Sequence, residues 1–415
     1  MENQPTFLSP HRPWPMRYYN RAAVVLDNRG ITLPRLRADA VMRIARVIAR
    51  RTDFGSMAFS EPLERLLQSF KQDARLHPFG RGAVFYFLAD LLANRIKIHA
   101  DLQRYPGILD GQIRRPLFVL GLPRTGTTLL YNLLAQDPAC RPLLAWESRH
   151  PSPPPQDDKQ AGDPRIWRSR LTHGIQDWIA PALQTVHPMT ADGPEECIFL
   201  TMNTMLSPGF LMFARLGHYD RWFRDLSFEK RLPAYQDYRR QLQLLQWRRP
   251  GKHWVLKSPV HLASLDTLFD VFPDACVVQT HRDPAKVVPS LSSMFAVIRG
   301  VFSDEVVPGD LGEEVLEYCR FLVERSVRMR ETLPDRVLDL HYKDLVSDPI
   351  GTVGRIYDHF GYERSDVMDA RMATWMSANP RHGSGVHRYD LSQFGLDSAR
   401  IDHVLGPYRD RYAIN

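Results

Sequence analysis

The sequence predicts an α/β fold: a P-loop-type, mainly parallel sheet flanked by helices, with an N-terminal helical region and a helical insertion. Three observations predict it. In "LFVLGLPRTGTTLLYNLL" (117–134) an apolar strand runs into a glycine-punctuated loop and then into an apolar helix. Beyond it, short apolar runs alternate with helical stretches, a pattern that requires crossovers and therefore parallel strands. Before it, residues 1–115 carry apolar side chains at helical spacing with no strand-type alternation.

The first region predicts helices over 35–51, 60–74 and 81–104, with the Pro-rich turns "HRPWP" and "RLHPFG" separating or preceding them. It reads as an N-terminal helical subdomain, 1–115, with no evident chemistry. Residues 116–415 read as the α/β domain. Its predicted strands are 117–121, 254–258, 275–281 and 336–342. Ligands of such sheets bind at the carboxyl ends of strands. The informative residues are therefore those that follow each run: Pro123 to Thr128, Lys257 to His261, Arg282 to Ser290 and His341 to Asp344. An insertion over 149–250 opens with the exposed loop "RHPSPPPQDDKQAGDP" and continues as helices rich in Met and aromatic residues. Lying over the carboxyl edge, it is the expected acceptor side. The tail reads as a Gly- and His-bearing loop followed by a short helix.

Composition narrows the function. The 415 residues are 44% hydrophobic and 24% charged, ordinary for a globular chain. The net charge of +7 comes without a basic tail or a recognisable binding module. It fits a solvated basic surface or a site for a polyanionic small ligand, and argues against a nucleic-acid surface. Four cysteines lie far apart with no C-x-x-C pair, so neither a zinc knuckle nor a disulfide framework is indicated, and reduced thiols in a cytosol fit. The N-terminus has no signal-peptide core. The longest apolar stretch, "GAVFYFLADLLA" (82–93), contains Asp90 and falls short of the roughly 20 residues of a membrane helix. A cytoplasmic protein without a transmembrane segment is expected, of unspecified oligomeric state.

The loop carries the first chemistry. Gly121 and Gly126 permit a tight turn whose helix-terminal N–H groups form an anion site. An ATP-binding loop would place Lys where this chain has Thr127. Here Arg124 supplies the positive charge, Thr127 and Thr128 supply hydroxyls, and "VVQTHRD" completes no Mg²⁺ site. The ligand expected is an anion that needs no metal. Arg282 ends a strand and Ser290 follows eight residues later on the helix opened by Asp283-Pro284. Both could grip a second phosphate. Lys257 stands at another strand end.

Together these motifs resemble the sulfotransferases that use 3′-phosphoadenosine-5′-phosphosulfate (PAPS), in particular the bacterial branch related to tyrosylprotein sulfotransferases. The likeness covers about 117–362. It implies a 5′-phosphosulfate loop of Pro123, Arg124, Thr125, Gly126, Thr127 and Thr128, and a 3′-phosphate site of Arg282 and Ser290. The segment "WVLKSPVHL" is similar to one that brings a Lys, here Lys257, and sometimes a His, here His261, to the reaction. Arg381 and Tyr389 in the tail would contact the nucleotide. The implied activity is sulfuryl transfer from PAPS to a hydroxyl of a small-molecule or lipid-like acceptor, with Arg124 and Lys257 as cations. For the general base, Glu147 and His261 compete, with Glu195 or Glu196 of the insertion behind them. The other readings are a P-loop nucleotide kinase or NTPase, and a non-catalytic nucleotide-binding scaffold.

Overall fold

The computed structural model describes residues 10–156, 162–186, 190–333, 336–380 and 390–414. Four helices precede the sheet: α1 (Trp14–Asp27), α2 (Ala38–Ala49), α3 (Ser60–Gln72) and α4 (Pro78–Arg104). The last three occupy the expected stretches. The first lies where "HRPWP" predicts a turn. Pro15 falls in its first turn, where proline's missing N–H has no intrahelical partner and its fixed φ suits the helix.

The α/β part begins with β1 (Leu117–Gly121), α5 (Thr127–Leu134), β2 (Cys140–Pro142) and α6 (Ala145–Arg149). The insertion contributes α7 (Pro164–Ile179), α8 (Leu183–Val186), α9 (Ile198–Met202), α10 (Gly217–Arg224) and α11 (Phe228–Gln246). Then come β3 (His253–Lys257), α12 (Leu265–Val271), β4 (Cys276–His281), α13 (Pro284–Gly300), α14 (Pro308–Arg330) and β5 (Val337–His341). The chain closes with α15 (Tyr342–Ser347), α16 (Pro349–Phe360), α17 (Asp366–Ala378) and α18 (Ser398–Arg411). The one strand absent from the sequence reading is β2, whose three residues are too short for a period to show.

All pairings are parallel, in the order β2-β3-β1-β4-β5. Strand alternation sorts the core into two faces. Phe118 and Leu120 of β1 join Leu256, Val277 and the N-terminal helices' Val41, Leu66, Leu88 and Leu92 in one apolar cluster. Leu117 and Val119 face the other way, against Leu130 and Leu134 of α5, Ile356 of α16 and Met368 of α17. With both faces covered, β1 is buried throughout, as an apolar run of this kind requires. Register aligns Gly121 with Thr280, His281 with His341, and Val119 with Lys257. The expected strand-end residues therefore gather along one edge. Among the described residues no helix is long and apolar enough to cross a membrane.

Candidate active site

The loop after β1 is held open by its backbone. Gly121 has φ 143°, and a Cβ there would lie 2.4 Å from the Thr280 hydroxyl and 2.8 Å from that of Thr125. Gly126 has φ 90° and packs against Tyr342, which a Cβ would approach to 2.9 Å. Between them Arg124 adopts φ 72°, an uncommon conformation for a residue with a side chain. Thr125 is fully buried; its hydroxyl donates to the Leu122 carbonyl at 2.6 Å and lies 2.6 Å from the Thr280 hydroxyl. This side chain pins the loop, leaving only its backbone to face a ligand, a narrower role than the sequence expectation. The N–H groups of α5 begin at Thr127, with Thr128 exposed beside them.

The two predicted phosphate elements meet. Arg124 Nε donates to Ser290 Oγ at 3.0 Å and its Nη1 to the Val186 carbonyl at 3.0 Å. Arg282 Nη1 donates to the Arg124 carbonyl at 2.8 Å, and its guanidinium lies 4.1 Å from the centre of the Tyr342 ring. Asp283 caps α13 by accepting from Ala285 N–H at 2.9 Å, which starts the helix so that Ser290 returns toward the loop. Tyr342 lies in the stretch His341 to Asp344 after β5 that the sequence marks as informative.

Lys257 ends β3 and is almost wholly buried. Its ammonium pairs with the Glu196 carboxylate and reaches Thr128 Oγ1 at 3.4 Å. Backbone bonds bring Glu196 there: Glu195 N–H donates to the Leu143 carbonyl at 2.8 Å and Cys197 N–H to the Lys257 carbonyl at 2.9 Å. The segment just before α9 is thus sewn between the ends of β2 and β3. A cavity of about 300 Å³ opens from this pair. Pro123, Glu195, Glu196 and Arg149 stand among otherwise mostly apolar walls that include Phe87, Phe199, Phe213, Met294 and Phe302. Arg149, missed by sequence reasoning, lies 3.6 Å from the centre of the Phe199 ring. Desolvation pushes its pKa down to about 10, while Glu195 and Asp90 pull it back up.

The two leading candidates for the base are elsewhere engaged. Glu147 is fully buried, with Arg141 forked onto its two oxygens at 2.9 and 2.7 Å and Leu144 N–H donating at 3.2 Å. Both lone-pair faces are committed to a structural ion pair at the start of α6. His261 is also fully buried, in a cage of Phe118, Tyr235 and Tyr238, with Nδ1 2.9 Å from the Tyr235 hydroxyl. Burial lowers its pKa to about 3. Pro259 opens a 3-10 turn over Pro259–Ser264 that carries the imidazole inward, away from the strand end. Neither Glu147 nor His261, the expected candidates for the base, lines the cavity. Arg381 and Tyr389 lie outside the described residues.

Strand, glycine loop, helix and strand-end cations define an α/β protein of the phosphate-loop class. A sulfotransferase family model matches residues 116–366. The omega-hydroxy-beta-dihydromenaquinone-9 sulfotransferases of Mycobacterium bovis and Mycobacterium tuberculosis are each 24% identical over 315 residues, 72% of this chain and 74% of theirs. The crystal structure of sulfotransferase STF9 from Mycobacterium avium superposes with a TM-score of 0.82 at 30% identity, covering 91% of this chain and 97% of that one. That of STF1 from Mycobacterium tuberculosis gives 0.80 at 30% identity, over 91% and 98%. The chain belongs to the sulfotransferase family, and its activity is sulfuryl transfer.

Proposed function

We propose that the chain transfers the sulfuryl group of PAPS to the hydroxyl of an apolar, lipid-like alcohol, with Glu196 as proton acceptor. The observation that carries this is the cavity: its polar end holds Pro123 of the phosphate loop and Glu196 on Lys257, and most of its remaining wall is hydrocarbon. At about 300 Å³ it stands at the lower bound of small-ligand sites. The omega-hydroxy-beta-dihydromenaquinone-9 named for the mycobacterial relatives is an alcohol of the same chemical kind.

The residues present fit a nucleotide with two separate phosphates. Arg282, with Ser290 and Arg124 around it, offers a cationic fork and a hydroxyl for the 3′-phosphate. The N–H groups from Gly126 into α5 suit the 5′ side. The acceptor oxygen bonds to sulfur while the bond from sulfur to the 5′-phosphate oxygen breaks, and the departing bisphosphate gains negative charge. Lys257, beside Thr128, is placed to stabilise that charge. Glu196, paired with Lys257 at the polar end of the cavity, takes the proton of the acceptor hydroxyl. A low-dielectric chamber strengthens both interactions.

The experiment is Glu196→Gln, assayed with PAPS and a long-chain alcohol. It should retain affinity for adenosine 3′,5′-bisphosphate and lose kcat by about 10²-fold or more. Unaltered turnover would remove Glu196 from the role.

A further inference from the structure

Two helices at the rim of this cavity turn apolar faces to solvent. On α7, Trp167, Leu171, Ile175 and Trp178 are each about half or more exposed. At 100° per residue they fall within an arc of about 80°. On α1, Trp14, Tyr18 and Val25 share one side and are exposed, and Tyr19, Val24 and Leu26 are exposed elsewhere on the same helix. Scattered exposed apolar residues are ordinary, but aligned rows ending in tryptophans are not.

Both helices frame the same opening. Gln176 of α7 and Leu183, just beyond it, line the cavity. So do Ala83 and Phe87 of α4, on either side of the exposed Tyr86. Arg168 of α7 pairs with Asp90 of α4 at 3.8 Å. On the other flank, Asn20 Oδ1 of α1 accepts from Phe79 N–H of α4 at 2.7 Å. Arg12, just before α1, donates to the Ser303 carbonyl at 3.1 Å, next to Val301 and Phe302 of the cavity wall.

The flank of α1 is positive, with exposed Arg17 and Arg21 edging its stripe. On α7 exposed Arg168 and Arg170 edge the stripe, paired with Asp90 and Asp192. Trp and Tyr with an apolar body and polar tip, set among long basic side chains, suit the headgroup boundary of a bilayer. Basic residues near the surface favour anionic lipid there. From these juxtapositions we infer that α1 and α7 seat the enzyme on an anionic membrane surface, so that a lipid-like alcohol passes from the bilayer into the cavity between them. This rests on the apolar acceptor proposed above.

Co-flotation of the full chain with vesicles of equal parts phosphatidylglycerol and phosphatidylcholine, against phosphatidylcholine alone, tests the surface without requiring turnover. Binding should favour the anionic vesicles and weaken with salt. Trp167→Glu combined with Trp178→Glu should lower vesicle affinity about tenfold or more, with an unchanged melting curve and unchanged turnover of a short soluble alcohol. Vesicle binding equal in this variant and the parent would overturn the inference. So would failure to bind anionic vesicles while the soluble alcohol is sulfated, which leaves the proposed reaction standing. A dimer that the same substitutions dissociate, with no vesicle binding, would assign the faces to a second copy instead.

Discussion

Lys257 and Glu147 both make buried ion pairs, yet their surroundings give them different work. Lys257 faces Glu196 at the polar end of a cavity, beside the phosphate loop. Lys257→Met should therefore lower kcat far more than donor affinity, because charge on the leaving phosphate develops mainly in the transition state. Single-turnover rates and bisphosphate titration separate the two effects. Glu147 is enclosed by Arg141 and Arg249. Glu147→Gln should leave Arg141 an uncompensated buried cation and destabilise the fold by about 3–5 kcal/mol, with kcat of the folded fraction retained. Denaturant unfolding beside active-site-normalised kinetics checks this. His261→Phe should stay active, since the ring serves packing and Tyr235 also has Ser264 for its hydroxyl.

At the scale of elements, α13 touches the loop before α5, and the proposed reading makes the two one anion clamp. Arg282→Ala should weaken adenosine 3′,5′-bisphosphate by about ten- to a hundredfold, the size of a charge-assisted hydrogen bond. Ser290→Ala should weaken it less, in the same direction. Isothermal titration gives both values, and equal affinity in Arg282→Ala would break the clamp assignment. The phosphate loop has a threonine where a Mg-nucleotide loop has lysine, and Arg124 and Lys257 bring fixed cations to it. Full turnover in excess EDTA is the corresponding expectation. Restoration by Mg²⁺ after loss would count against it.

The whole molecule carries a pH dependence of stability. Burial lowers the pKa of His77 and His253 to about 4 and of His150 and His261 to about 3, from an ordinary 6.5. Between those values the unfolded chain binds protons that the folded chain refuses, so stability rises with pH through this window. It is fully present above about pH 6.5 and is lost progressively as the pH falls toward 4. Asp90 and Asp101, raised by burial, act in the opposite sense, favouring the fold where they hold a proton. The four histidines outnumber them. The melting temperature should drop from about pH 7 to pH 5. His261→Phe should make that drop shallower, a readout separate from activity.

The sheet, the glycine loop and the return of Ser290 toward that loop were legible in the sequence because each rests on local pattern. An apolar run fixes a strand, paired glycines fix a turn, and a proline after a capping aspartate fixes where a helix begins. The strand ends follow, since a parallel sheet collects them on one edge. The base was not legible. Glu147, Glu195, Glu196 and His261 are all titratable groups near motif residues, and spacing alone cannot tell which faces the cavity. Which of them faces the cavity depends on packing contacts, most of them distant in sequence. Arg141 folds onto Glu147, an aromatic cage closes on His261, and two backbone bonds sew Glu195 and Cys197 between β2 and β3. Burial and charge are properties of the packed chain, so only the tertiary structure could decide which carboxylate remains available for chemistry.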